Sequence, residues 1–218
     1  MLRYVLKSAG IAALMTVPFG VAQACTLSPG YSVPTTMELV TSADTIVLAR
    51  VRDFQVSPYG QSYIPETVLD VENVVAGSDA PNQVRVRGGM PDEGELARHS
   101  DPDELAHVNP DAFFGACNRY IFDRGMLLLL FLDHGGDGSY RVINFPYART
   151  LEDVPDANAL WVRAVRFYAS VAPLGRHQRR RAMERERDRL QATGDRLDAI
   201  LARDIDRQLS YRYPVHRG

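Results

Sequence analysis

The run Met126-Leu127-Leu128-Leu129-Leu130-Phe131-Leu132 constrains this chain more than any other stretch. It is strand-length, almost wholly apolar and without helical or alternating period. Such a run reads as a strand buried on both faces. It is far too short to cross a membrane, which takes about 20 apolar residues. The glycines at 135, 136 and 138 follow it and predict a hairpin turn, with residues 139–145 as the return strand. A buried central strand with a hairpin partner makes the chain mainly β from the outset.

Three more strands precede it. Residues 45–52 form a β-branched run that alternates towards its end, and residues 63–75 form a second extended stretch. Gln83-Val84-Arg85-Val86-Arg87 alternates apolar with polar, as a half-buried strand does. Five strands in meandering order, with hairpin signals and no βαβ rhythm, predict a small antiparallel barrel, because closure removes exposed edges. Thr35 or Thr36 caps a short helix ahead of the first strand, with Glu38 near the capping-box position.

After Pro155 the pattern changes. Asp156 is placed to cap a helix running to Ala172, which Pro173 and Gly175 end. Residues 176–209 are helical and highly charged, with a sparse apolar seam of Met183, Leu190, Leu197, Leu201 and Ile205. Gly194 weakens the middle of that stretch by about 1 kcal/mol. The expected fold is therefore mainly β with C-terminal α: a five-stranded barrel of the OB kind over residues 25–150, then a helical extension over 151–218.

The first 24 residues have the anatomy of a secretory signal. Arg3 and Lys7 give a positive start, residues 9–17 are apolar, and Ala22-Gln23-Ala24 offers small residues at both specificity positions of a cleavage site. Cleavage after Ala24 exports the chain to a periplasmic or secreted location and makes Cys25 the first mature residue. Acylation of Cys25 is the alternative, and it would anchor the protein to a membrane. The two cysteines, Cys25 and Cys117, read as one disulfide in an oxidising compartment. Its long loop corresponds to about 4–5 kcal/mol in the chain-entropy model. A free Cys117, buried as a small hydrophobe, is the other reading.

Side chains with chemical potential fall in three places. His99, Asp101, Asp103 and His107 sit in a long polar loop over residues 90–116 that also holds Pro91, Pro102 and Pro110. Two histidines and a carboxylate can hold a metal, but this spacing matches no established ligand motif, and a solvated loop explains it better. Asp133, His134 and Asp137 lie at a glycine-rich hairpin tip, where turn chemistry accounts for them. Arg179-Arg180-Arg181 could meet an anionic surface. Glu184, Glu186, Asp188, Asp195 and Asp198 follow, however, and interspersed signs mean a salt-bridged helix face rather than a nucleic-acid interface. The formal net charge of -2 implies no strong electrostatic partner. No Gly-x-Ser-x-Gly, HExxH or phosphate-loop motif is present, so the chain is read as a non-enzyme with no cofactor.

An ordered set of features resembles the netrin-module, or tissue-inhibitor-of-metalloproteinases-like, OB-fold group. The set comprises a mature N-terminal Cys25, a short helix leading into Ser42-Ala43-Asp44-Thr45-Ile46-Val47-Leu48-Ala49-Arg50-Val51, and a strand ending at Ala76-Gly77. The Val84/Val86 strand, Ala116-Cys117, Gly125 and the leucine-rich strand complete it. The likeness covers roughly residues 25–147. It implies that Cys25 is bonded to Cys117. It also implies that the free α-amine and carbonyl of Cys25 chelate the zinc of a protease while the Thr26 side chain enters the specificity pocket. Where the family's inhibitors carry a second cysteine two residues on, this chain has Leu27. The function implied is an exported protein-binding module, with a zinc metalloprotease as candidate partner. The alternative is a cell-envelope assembly protein that binds an envelope component through its charged C-terminal helix.

Overall fold

A computed structural model describes residues 27–59, 62–113 and 117–211. Helix α1 (Thr36–Ser42) precedes strands β1 (Thr45–Tyr59), β2 (Ser62–Ala76), β3 (Gln83–Arg87), β4 (Leu127–His134), β5 (Tyr140–Val142) and β6 (Leu151–Asp153). Helices α2 (Leu160–Val171), α3 (Arg176–Ala192) and α4 (Arg196–Ser210) follow. All the ladders are antiparallel and join one sheet in the order β3-β2-β1-β4-β5, with β6 also on β4. The protein is thus mainly antiparallel sheet followed by C-terminal helices.

Strand β4 occupies the place its composition demands. One edge pairs with β1 along residues 127–132, and the other pairs with β5 and β6. Leu128, Leu130 and Leu132 enter one core with Val47, Ala49, Val51, Leu69 and Phe122. Leu127, Leu129 and Phe131 enter a second core with Met37, Leu39, Ile46 and Leu48. Trp161, Tyr168, Leu190, Leu201 and Ile205 of the C-terminal helices cover that second core. Both faces are buried, so no polar residue interrupts the run.

Local chemistry sets the start of α1. Thr35 Oγ1 accepts from the Glu38 N–H at 3.3 Å, and the Thr35 N–H donates to Glu38 Oε2 at 2.8 Å, a reciprocal capping box. Gly88 ends β3 with φ +141°, where the chain crosses the segment before β4. The Gly89 N–H donates to Tyr120 O and the Phe122 N–H donates to Gly89 O, each at 3.0 Å. A methyl group on Gly88 would lie 2.3 Å from Tyr120 O and 2.5 Å from the Phe122 ring. Gly88→Ala is therefore expected to destabilise by about 3 kcal/mol, from a backbone conformation alanine avoids plus the clash. Chemical denaturation reads this, and an unchanged midpoint would refute it.

Four sequence expectations are corrected. The sheet has six strands rather than five, because the return strand is split. The Ile143 N–H donates to Phe131 O at 2.9 Å and the Phe131 N–H donates to Thr150 O at 3.2 Å, while the residues between leave the edge of β4. Pro146, which has no N–H to give a ladder, lies in that excursion. Strand β1 continues to Tyr59 and pairs with β2 along its length, past the expected end at residue 52. Asp156 does not cap α2: its carboxylate accepts from the Asn158 N–H at 2.6 Å, and the helix starts at Leu160 without a side-chain cap. The charged C-terminal stretch is two helices, because Gly194 adopts φ +70° and Asp195 then caps α4 by accepting from the Asp198 N–H at 2.9 Å. Residues 60 and 61, between β1 and β2 in sequence, lie outside the described residues.

Candidate functional site

Residues 1–24, Cys25, Thr26 and Ala116 lie outside the described residues. The chain next to Cys25 and Thr26 is described from Leu27 onward, and its position is informative. The Tyr31 hydroxyl donates to Pro146 O at 2.7 Å, fastening the N-terminal arm to the excursion between β5 and β6. One residue on, the Tyr147 N–H donates to Cys117 O at 2.7 Å. Cys117 and Tyr147 each have φ 58°, and no other non-glycine among the described residues has positive φ. Such conformations cost on the order of 1–3 kcal/mol each and persist only where the surroundings enforce them. Cys117 is buried, at 2% exposure. The Phe113 ring stacks on Tyr147 with centroids 5.0 Å apart, yet Phe113 is 65% exposed. Arm, strained pair and exposed aromatic therefore meet at one corner.

The long loop beside this corner is pinned by a buried polar network. Strand β6 supplies Glu152 and Asp153. The Ser100 N–H donates to Asp153 Oδ1 at 2.7 Å and its hydroxyl to Glu152 Oε2 at 2.7 Å. The Asn109 N–H reaches Glu152 Oε1 at 3.1 Å, and its amide donates to Arg98 O at 2.9 Å. The Arg119 guanidinium is wholly buried; it pairs with Asp153 and donates to Arg98 O at 2.7 Å. Arg149 Nη2 stands 3.5 Å from Glu152 Oε2, and its guanidinium lies 4.6 Å from the centroid of the Trp161 ring. Two carboxylates thus satisfy the backbone of a loop that has little secondary structure of its own.

The charges respond differently to this burial. Burial pushes the Asp153 carboxyl up, but the Arg119 charge and the Ser100 and Arg119 hydrogen bonds outweigh it and hold the group below the usual carboxylate range. Burial wins at Glu152, which stays above that range despite Arg149 and Ser100, and the same burial lowers Arg149.

The histidines singled out in the sequence separate. His99 Nδ1 lies 2.8 Å from Asp153 Oδ2, whereas His107 Nδ1 lies 2.7 Å from Glu104 Oε2. Burial raises the Glu104 carboxyl, but hydrogen bonds from His107 and Ala106 bring it down to about 2. Asp101 accepts from the Asp103 N–H at 2.9 Å, and Asp103 pairs with Arg196 at 2.6 Å. Among the described residues no three His, Cys, Asp or Glu side chains are grouped to hold a metal ion. Asp153 orients an exposed His99 ring, as a base is oriented in a hydrolase. The adjacent Ser100 hydroxyl, however, is committed to Glu152, so it is no nucleophile for His99.

At the hairpin tip, Asp137 accepts from the Ser139 hydroxyl and N–H, which bring it down to about 2, and the Asp133-His134 pair sits at the end of β4. Two arginines of the cluster work within the fold, while Arg181 is exposed. Arg179 donates to Ala172 O and Leu174 O at the end of α2, and Arg180 pairs with Glu184 at 2.9 Å. The apolar seam of α3 and α4 is occupied internally: Met183, Leu190, Leu201 and Ile205 are all in the helix-covered core. No helix among the described residues is long and apolar enough to cross a membrane.

Sequence reasoning missed Arg119, Glu152, Asp153, Ser100, Asn109 and Arg149. The available signal was a pair of acids, Glu152 and Asp153, enclosed by Leu151 and Val154. No family model, no curated protein and no solved structure matches this chain.

Proposed function

We propose that this chain is an exported, non-enzymatic protein-binding module built on an OB-like barrel of the netrin or tissue-inhibitor-of-metalloproteinases kind. In this reading Cys25 and Thr26 at the mature N-terminus form its contact surface, and a Cys25–Cys117 disulfide fastens them to the barrel. The strand order supports the barrel: β1 lies between β2–β3 and β4–β5, the arrangement from which an OB barrel closes β3 towards β5. Val86 of β3 and Val142 of β5 both pack on the inner core, as closure by side chains requires.

One observation carries the functional reading. The N-terminal arm is fastened by Tyr31 to Pro146, beside a Tyr147–Cys117 hydrogen bond between two left-handed non-glycine residues. That anchorage supports a terminus delivered to Cys117 and held rigid there, and rigidity is what a short binding ridge needs for affinity. The exposed Phe113 ring adds an aromatic anchor next to it. The partner proposed is a zinc metalloprotease, whose open metal position the Cys25 amine and carbonyl would fill.

The mature protein is expected to inhibit members of a metalloprotease panel. Adding one residue ahead of Cys25 should abolish the inhibition, because the Cys25 amine becomes a peptide amide, whose nitrogen does not ligate zinc. Inhibition unchanged by that addition would exclude chelation. Non-reducing mass spectrometry of the exported protein should find no free thiol, and two free thiols would remove the anchor.

A further inference from the structure

A cavity of about 260 Å³ lies among the N-terminal arm, α1, the loop at residues 105–106, Arg149, α2 and α4, and Cys117 is not in its lining. Its walls include Thr36, Leu39, Leu105, Arg149, Trp161 and Gln208. Four of these have polar side-chain groups without a protein partner among the described residues, and at two of them, Arg149 and Trp161, the group is sealed from solvent. Gln208 is 9% exposed and Thr36 is 7% exposed, and neither side chain makes a hydrogen bond among the described residues. Arg149 Nε and the Trp161 indole N–H are buried without an acceptor. A buried donor left unpaired costs about 1–3 kcal/mol, so the Arg149 Nε and Trp161 N–H groups are expensive unless something in the cavity accepts from them.

The deficit has a sign. The carboxylate at the cavity, Asp204, has both oxygens engaged: Oδ2 accepts from the Tyr168 hydroxyl at 2.7 Å and Oδ1 from Arg207 at 2.8 Å. Glu152 faces Arg149 from the sheet side and offsets part of its charge, while Arg207 is exposed at the rim. The unpaired groups are therefore donors, or groups able to donate, beside two guanidinium ions. Leu39, Leu105 and Val33 give the rest of the wall an apolar character. We infer that this cavity binds a small organic monocarboxylate, its carboxylate taken by Gln208, Thr36 and the Arg149–Trp161 stack and its short apolar tail lying against Leu39 and Leu105. The volume suits a molecule of few atoms, below the range of drug-sized pockets.

The chain has a single tryptophan, and it is Trp161, so its emission reports on this site alone. Butyrate serves as the probe, with butyramide and butylamine as neutral and cationic counterparts. All three are titrated to about 10 mM, because a ligand of so few atoms has limited affinity. The full mature chain should show a saturable change in Trp161 emission with butyrate, matched by calorimetry, and a response at least about ten-fold weaker with either counterpart. Gln208→Leu should weaken butyrate by about ten-fold or more, and so should Arg207→Gln, with circular dichroism checking that loss of the Asp204 ion pair leaves the chain folded. No saturable response by either method would overturn the inference, leaving a cavity that holds water only. Equal responses to the three probes, or undiminished binding in Gln208→Leu, would overturn it as well.

Discussion

Arg119→Met is expected to lower the unfolding free energy by about 3–5 kcal/mol, the cost of breaking a buried ion pair from one side. Methionine fits the apolar stem of the arginine but leaves Asp153 buried opposite no charge. It also removes the donors that reach Arg98 O and Ile121 O. Urea denaturation measures the effect, and a loss of under about 1 kcal/mol would show that the pair is unimportant. The double variant Arg119→Met with Asp153→Asn should recover part of the loss, since the amide oxygen can still accept from the Ser100 N–H and no charge is stranded.

The same pair dictates a pH dependence. The folded Asp153 carboxyl is held below its ordinary value, so its stabilisation is fully present above the unfolded value, about 3.9, and is lost as pH falls through the folded one. Glu152 works in the opposite sense, because its folded carboxyl is raised and protonation there relieves the folded state. The gap in stability between the parent and Arg119→Met should therefore narrow as pH drops below about 4. A gap that stays constant down to the acid unfolding transition would rule out Asp153 as its source.

Phe131→Ala is the second substitution with a large expected effect, a loss of about 3–5 kcal/mol from the cavity it leaves. Phe131 is fully buried between the sheet and the helices, with its ring centroid 6.1 Å from that of Trp161. For a chain of this length the loss corresponds to a fall in Tm of roughly 10–15 °C. Trp161 emission follows the helical layer and far-UV circular dichroism follows the whole fold. Both transitions should move together, because one core joins β1 and β4 to α1, α2, α3 and α4. Two separate transitions, with only the emission shifted, would mean that the helices unfold independently of the sheet.

Features legible in the sequence share a short range. Thr35 and Glu38 form a capping box because the four residues involved are contiguous and their geometry is that of a single turn. Residues 126–132 are read as a central strand because a run with no polar position can only be buried on both faces. The alternation of Gln83–Arg87 matches the burial of Val84 and Val86 for the same reason. The proposed contact residues Cys25 and Thr26 lie outside the described residues, and what is described nearby is the Tyr31–Pro146 and Tyr147–Cys117 hydrogen bonds.

Misread features depended on partners far along the chain. The helical pattern of residues 176–209 was visible. Its division into α3 and α4 comes at Gly194 and the Asp195 cap, and the turn there lets Leu190 and Leu201 reach the same core. The sequence predicts the return strand after β4 as one piece, residues 139–145. Its split came from an edge that β5 and β6 share, with Pro146 carried away from the ladder.

What the sequence by itself determined is the identity and order of most strands and helices, because periodicity, caps and turn residues act within one or two turns of chain. What only the tertiary structure decided is which charges are buried and which side chains converge. Ser100 and Glu152 lie 52 positions apart, and Arg119 and Asp153 lie 34 apart. Nothing local distinguishes an arginine destined for solvent from one destined for burial. The difference is desolvation, and desolvation is set by what packs on top: here a long loop, one short edge strand and a layer of helices.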